Sequence, residues 1–216
     1  TYVTPEGTVS VVSTWKTFYT ATTSVYRDGK SYDVPVPDSV KMVGFFKNHF
    51  LAQLRKDWTL EGKTFSQGSL VAVRASVAGA EKVDLADVKL VMSIGQAGSI
   101  LTTATTKSKI LVNALENVTG KIYAVELKKG SFTKPRELNY DNSAHVTLAA
   151  SSELKEDFFA KVSGFLNPDA LIYYSASRKR FSKIKQLKAK FSSKAMIVKQ
   201  VWATSADGTK VPLSLI

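Results

Sequence analysis

Apolar and polar positions along this chain alternate with a period of two in short runs, and β-branched and aromatic residues concentrate in those runs. Sustained helical periodicity is nearly absent, so the chain reads as all-β. The pattern predicts strands over Phe18 to Val25, Lys41 to Phe46, Phe50 to Leu54, Leu70 to Val73, Ser99 to Thr103, Ile110 to Leu115, Lys121 to Leu127, His145 to Ala149, Phe158 to Val162 and Ala170 to Ser175. Asp28-Gly29, Glu61-Gly62, Lys129-Gly130 and Asp207-Gly208 each put a glycine where a tight hairpin needs positive φ. The one helical candidate is Asp84 to Met92, with Leu85, Val88 and Met92 on one face; its valines leave a further strand as the alternative.

A repeat decides the architecture. A strand, a turn centred on Gly or Asn-Pro, and a second strand recur as Phe50 to Leu54 leading to Gly68 to Val73, as Ile110 to Leu115 leading to Gly120 to Val125, and as Phe158 to Val162 leading to Asp169 to Tyr174. The anchors Leu70, Ile122 and Leu171, with a weaker one at Val25, lie about 45 to 52 residues apart, a spacing that points to β-propeller blades of four short strands. A β-sandwich is the rival, but it gives no reason to repeat one hairpin at this interval. A single blade cannot cover both of its faces. The expectation is therefore a partial, truncated β-propeller of about four blade-like four-stranded units, an arc of a larger ring.

Composition narrows the picture. Among 216 residues, 44% are hydrophobic and 22% charged, the make-up of an ordinary folded domain rather than a disordered chain. Zero cysteines exclude disulfides, thiol catalysis and Cys-ligated zinc. No apolar run approaches the roughly 20 residues of a membrane-spanning helix, so no membrane partner is expected. The start at Thr1 and the apolar end from Val211 to Ile216 read as a piece excised from a longer protein, which leaves localisation unread.

The segment from Gln200 through Trp202, Asp207-Gly208 and Lys210 to Pro212 resembles the junction at which prolyl oligopeptidase family (S9) serine peptidases pass from propeller to α/β-hydrolase domain. Leu54 to Trp58, Gly68-Ser69-Leu70, Glu116-Asn117-Val118 and Ile122-Tyr123 look like the propeller of that family's bacterial branch; the resemblance runs from about Val40 to Ile216. It implies that 1–196 are the C-terminal half of a β-propeller and 197–216 the junction and first hairpin of a missing hydrolase domain. In the family, that domain carries a Ser, Asp and His triad, and the propeller restricts access to short peptides. The implied function is a non-catalytic propeller fragment gating peptide access, with the peptide substrate and the missing domain as partners. A nucleophile elbow needs Gly-x-Ser-x-Gly between strand and helix. Gly95-Gln96-Ala97-Gly98-Ser99 lacks the central Ser, so no catalytic, cofactor-binding or metal residue is assigned, no cofactor is expected, and this chain alone should be inactive.

Individual residues offer bland readings beside sharper ones. His49 and His145 stand far apart in sequence; Asp141 with His145 is a conceivable pair, but a half-exposed strand histidine is the preferred reading. Trp58 and Trp202 read as buried packing rather than the lining of a ligand channel, which also leaves Trp15. Arg178 to Lys190 holds seven cations and no acid, flanked by Phe181 and Phe191. Much of the net charge of +12 gathers there. It reads as a solvated outer strand, with Ile184 and Leu187 turned inward, ahead of an acidic partner and with nucleic acid last. The alternative function is accordingly a non-enzymatic binding scaffold with a basic face. Uncovered blade faces also predict self-association of the isolated chain.

Overall fold

The computed structural model describes residues 1–4, 7–95, 98–140 and 145–216. These form four antiparallel sheets, one after another along the chain. Blade 1 comprises β1 (Tyr2–Thr4), β2 (Gly7–Trp15), β3 (Ala21–Arg27) and β4 (Lys30–Asp33). Blade 2 begins with β5 (Val40–Phe46) and β6 (His49–Leu54), is interrupted by a small hairpin of β7 (Trp58–Leu60) and β8 (Lys63–Phe65), and resumes with β9 (Leu70–Arg74) and β10 (Val88–Met92). Blade 3 has β11 (Gly98–Thr105), β12 (Lys109–Glu116) and β13 (Thr119–Lys128), with its fourth strand split into β14 (Ser131–Phe132) and β15 (Arg136–Glu137), both on β13. Blade 4 comprises β16 (His145–Ala150), β17 (Phe158–Ser163), β18 (Ala170–Ser175) and β19 (Arg180–Gln186). A separate hairpin, β20 (Lys199–Thr204) with β21 (Lys210–Leu215), follows.

Within every blade the strands lie side by side in chain order, as in a propeller. The anchors Val25, Leu70, Ile122 and Leu171 all fall on the third strand of their own blade. Hydrophobic cores fill the spaces between neighbours: Val25, Phe50, Val71 and Val73 join blade 1 to blade 2, Leu51, Leu70, Ile110 and Val112 join 2 to 3, and Leu111, Ile122, Phe158 and Ile172 join 3 to 4. Blades 2 and 3 are covered on both sides, so β6, β9 and β12 are buried almost without interruption. In β17 and β18 burial instead alternates residue by residue, because blade 4 has a neighbour on one side only.

Asp28-Gly29, Glu61-Gly62 and Lys129-Gly130 have positive φ at both positions, the tight hairpin turn their sequences predict. Three expectations are corrected. The strand placed over Phe18 to Val25 begins at Ala21, because the Thr17 hydroxyl accepts from the Tyr19 and Thr20 N–H groups and turns the chain there. Asp84 to Met92 is no helix: a single 3-10 turn at Leu85–Asp87 leads into β10, whose main chain is claimed by β9. Ile184 does not turn inward, because it is the extra residue of a bulge between Lys183 and Lys185, and Leu187 lies past the strand; both are exposed.

The meander order fixes which connections share a face of the blade stack. Turns between second and third strands lie at the same end as the crossings from a fourth strand to the next blade. The chain leaves β19 at this end, called here the exit face. Turns between strands one and two, and three and four, lie on the far face.

Candidate functional face

The two faces differ in chemistry. On the exit face the blade 1 turn carries Trp15, Phe18 and Tyr19, of which Phe18 is 83% and Trp15 60% exposed. Blade 3 adds Val118, blade 4 adds Phe165, and Leu187, Phe191 and Ile197 follow on the exit segment, all exposed. Far-face connections among the described residues are 28–29, 47–48, 75–87, 106–108, 129–130, 151–157 and 176–179; the large exposed apolar residues there are Leu154 and, near the end of β3, Tyr26. Exposed apolar side chains gathered on one face mark a surface that another body covers.

The aromatic turn is held in place. Arg55, from the second-to-third connection of blade 2, donates from Nη1 to the Tyr19 carbonyl at 2.9 Å, and its guanidinium carbon lies 5.8 Å from the Trp15 ring centre. Phe18 and Tyr19 meet edge to face at 4.9 Å. In blade 3 the turn is Asn117-Val118, with φ of 48° and 60°. A β-branched side chain in the left-handed region is strained, and strain of this kind persists where the surroundings or a function hold it.

Beside that turn a polar cleft of about 340 Å³ opens between blades 3 and 4 and β20, lined by Glu116, Thr119, Lys121, Glu137, Asn139 and Gln200 among others. Lys121 Nζ lies 3.3 Å from both Glu116 and Glu137, and the Tyr123 hydroxyl donates to Glu116 at 2.8 Å. Burial, then the bond to Glu116, pushes the Tyr123 hydroxyl up to about 12. Burial works against the Lys121 ammonium, but its hydrogen bonds to Glu116 and Glu137 hold its pKa above the usual value. At neutral pH Lys121 stays charged and paired and the Tyr123 hydroxyl keeps its proton, which suits fixing a surface rather than moving protons. Gln200 Nε2 donates to the Asn117 carbonyl at 2.8 Å, so the hairpin leaving the blades is tied to the exit face.

The residues singled out in the sequence are dispersed. His49, on β6, is buried, its Nδ1–H donating to the Lys47 carbonyl at 2.7 Å. His145, half-buried on β16, stands in another blade, its ring packed over Gly120. Asp141, its conceivable partner, lies outside the described residues, as do Gln96 and Ala97. Trp58 is buried between blades 1 and 2 as expected, and Asp57 beside it accepts from the Gln67 N–H at 2.7 Å to close the inserted hairpin. Trp202 is not buried: it is 49% exposed, because it lies on a two-stranded sheet with no third layer over it. The basic stretch is a solvated outer strand, β19, exposed at nearly every position. The apolar character of the exit face was missed, since Phe18, Val118 and Phe165 become neighbours in kind only once the meander assigns their turns to one end.

No family model matches the chain. An uncharacterized peptidase of Sinorhizobium fredii is 28% identical over 192 residues, covering 88% of this chain and 26% of that protein. An uncharacterized peptidase of Rickettsia prowazekii is 23% identical over 190 residues, with the same shares. Among solved structures, a post-proline cleaving enzyme from Rickettsia typhi superposes with a TM-score of 0.79 at 23% identity, over 94% of this chain and 30% of that one. Oligopeptidase B from Leishmania major does so with a TM-score of 0.70 at 15% identity, over 99% and 30%. The chain thus spans about a quarter of the curated relatives' length and under a third of the solved chains, and the resemblance read from the sequence holds.

Proposed function

We propose that this chain, whose relatives are peptidases and whose fold is that of the propeller of prolyl oligopeptidases, gates peptide access to a catalytic domain carried elsewhere in a longer polypeptide. The observation that supports this is the gathering of exposed apolar turn residues on the exit face, where the chain also passes into β20 and β21. In this reading 1–196 are the C-terminal half of the propeller and 197–216 the junction and first hairpin of the catalytic domain.

Peptide hydrolysis by a serine peptidase requires an activated hydroxyl, a base and an oxyanion hole. In this reading those groups belong to the catalytic domain and not to the blades. Their part is exclusion: a rigid stack seated over the site admits short, flexible peptides and keeps folded proteins and excess water away from the acyl-enzyme step. Trp15, Phe18 and Tyr19 on one side and Val118 on another are the contacts such a domain would cover.

The test is a chromogenic short-peptide assay on the longer polypeptide, on the same polypeptide with the serine of its Gly-x-Ser-x-Gly motif changed to Ala, and on the 216-residue chain. Activity is expected in the first alone. Hydrolysis that survives the serine change, or that the 216-residue chain performs, overturns the reading.

A second reading, a scaffold for an acidic protein, draws on the exposed row Arg178, Lys179, Arg180, Lys183 and Lys185. It predicts capture of an acidic partner that weakens steeply between low and physiological salt.

A further inference from the structure

Two side chains tie successive blades together at one recurring position. Gln53 pairs across the sheet with Leu70, and its Nε2 donates to the Ile100 carbonyl at 3.0 Å. Asn113 pairs with Ile122, and its Nδ2 donates to the Val146 carbonyl at 3.1 Å. Leu70 and Ile122 are equivalent repeat anchors, and each acceptor lies on the first strand of the next blade. The registers agree: Ile100 pairs with Ala114 and Val146 with Val162, in each case one residue beyond the recurring position of that blade.

In blade 4 that position, opposite the anchor Leu171, is Lys161. Its side chain is exposed, on the side turned away from blade 3. Around it the apolar pattern of the inner blades continues. Phe159, Leu171 and Tyr173 stand where blade 3 has Leu111, Ile122 and Ala124 and blade 2 has Leu51, Leu70 and Ala72. Those six residues are buried under the next blade, whereas Phe159 is 38% exposed, and Lys161 and Leu171 line an open groove of about 420 Å³.

In a longer propeller a further blade of the same repeat covers this side of blade 4, and we infer that the Lys161 ammonium donates to a main-chain carbonyl on that blade's first strand, as Gln53 and Asn113 do on theirs. The inference rests on the proposed function only in placing the chain within a longer polypeptide, for which the matched relatives have ample length. A second copy of this chain is a poor occupant. The receiving sides of blades 2, 3 and 4 are apolar, as in Phe50, Ala52 and Leu54 or Phe158, Ala160 and Val162, but blade 1 has Thr8, Ser10 and Val12 at the matching positions.

The test is amine acylation followed residue by residue by mass spectrometry, on the longer polypeptide and on the 216-residue chain, with Lys183 on the outer strand as reference. In the longer polypeptide Lys161 should label about tenfold more slowly or less, while Lys183 labels alike in both. Lys161→Glu should lower the melting temperature of the longer polypeptide only, and Lys161→Gln, which keeps a donor as in Gln53, should restore most of it. Equal labelling of Lys161 in the two proteins overturns the inference. So does protection of Lys161 in the 216-residue chain that grows with concentration alongside a dimer in light scattering, since the occupant would then be a second copy. Protection of Lys161 in a polypeptide without peptidase activity supports this inference and removes the catalytic reading.

Discussion

The side chain of Asn113 reaches from blade 3 to the main chain of blade 4, donating to the Val146 carbonyl at 3.1 Å while its Oδ1 accepts from the Leu148 N–H at 3.3 Å. A third bond, to the Lys121 carbonyl at 2.9 Å, anchors it within its own sheet. Asn113 is fully buried, so water cannot replace it. Asn113→Ala strands three main-chain groups and should cost about 2–4 kcal/mol. Urea unfolding of the 216-residue chain measures it; a loss below about 0.5 kcal/mol would mean that packing alone holds this seam.

Gly120 borders the same seam. A Cβ there would sit 2.5 Å from His145 Nδ1 and 2.8 Å from the Val146 carbonyl, so the close approach of β16 requires glycine. Gly120→Ala should destabilise by about 1–3 kcal/mol. Adding His145→Ala should recover only part of that, because the clash with the main-chain oxygen remains. Full recovery would place the whole conflict on the histidine ring.

Val118 stores strain that its exposed surroundings do not repay in the isolated chain. Val118→Gly should raise stability by about 1 kcal/mol, the cost of holding an L-residue in the left-handed region. In the longer polypeptide the same change removes an apolar contact from the exit face, so the gain should shrink or reverse. Differential scanning calorimetry of both proteins tests this; an equal gain in both would remove Val118 from the proposed interface.

His49 sets the pH response near neutrality. Burial holds its pKa below the usual 6.5; the bond to the Lys47 carbonyl opposes this, and Lys89 and Arg74 reinforce it. From pH 6.5 downward the unfolded chain therefore takes up a proton more readily than the folded chain, and stability falls with falling pH. Hydrogen-bond partners hold Glu126, Asp157 and Asp207 below their usual values, and at Glu156, where burial pushes the other way, the bonds from Lys109, Ser108 and Thr106 together still hold it low, so these contributions are lost only at more acid pH. Denaturant unfolding at about pH 7 and about pH 5.5 should show the decline, and His49→Gln should flatten it. An unchanged slope in the variant would assign the decline elsewhere.

Much of this architecture was legible in the residues, and the reason is physical. Leu70, Ile122 and Leu171 repeat because every blade needs an apolar third strand, so the interval exposes the unit before any contact is known. Strands with weak patterns were missed. β2 is rich in Ser, Thr and Val on both sides, so no clean alternation marks it, whereas β19 was legible as a charged outer strand and pairs with β18 as one. Trp202 was misread because large aromatics are usually buried, a tendency that a bare two-stranded sheet cannot satisfy. The paired roles of Gln53 and Asn113 escaped notice for another reason: two different residue types make the same bond, and only register shows that they are equivalent.

The central claim is that these blades restrict what reaches a catalytic site. Its most direct test is the ratio of kcat/KM for the longer polypeptide on a short peptide to that on a folded protein displaying the same cleavable sequence in an exposed loop. Gating predicts a ratio of at least about a hundred, because the folded substrate cannot pass the blades. A ratio near one would contradict it.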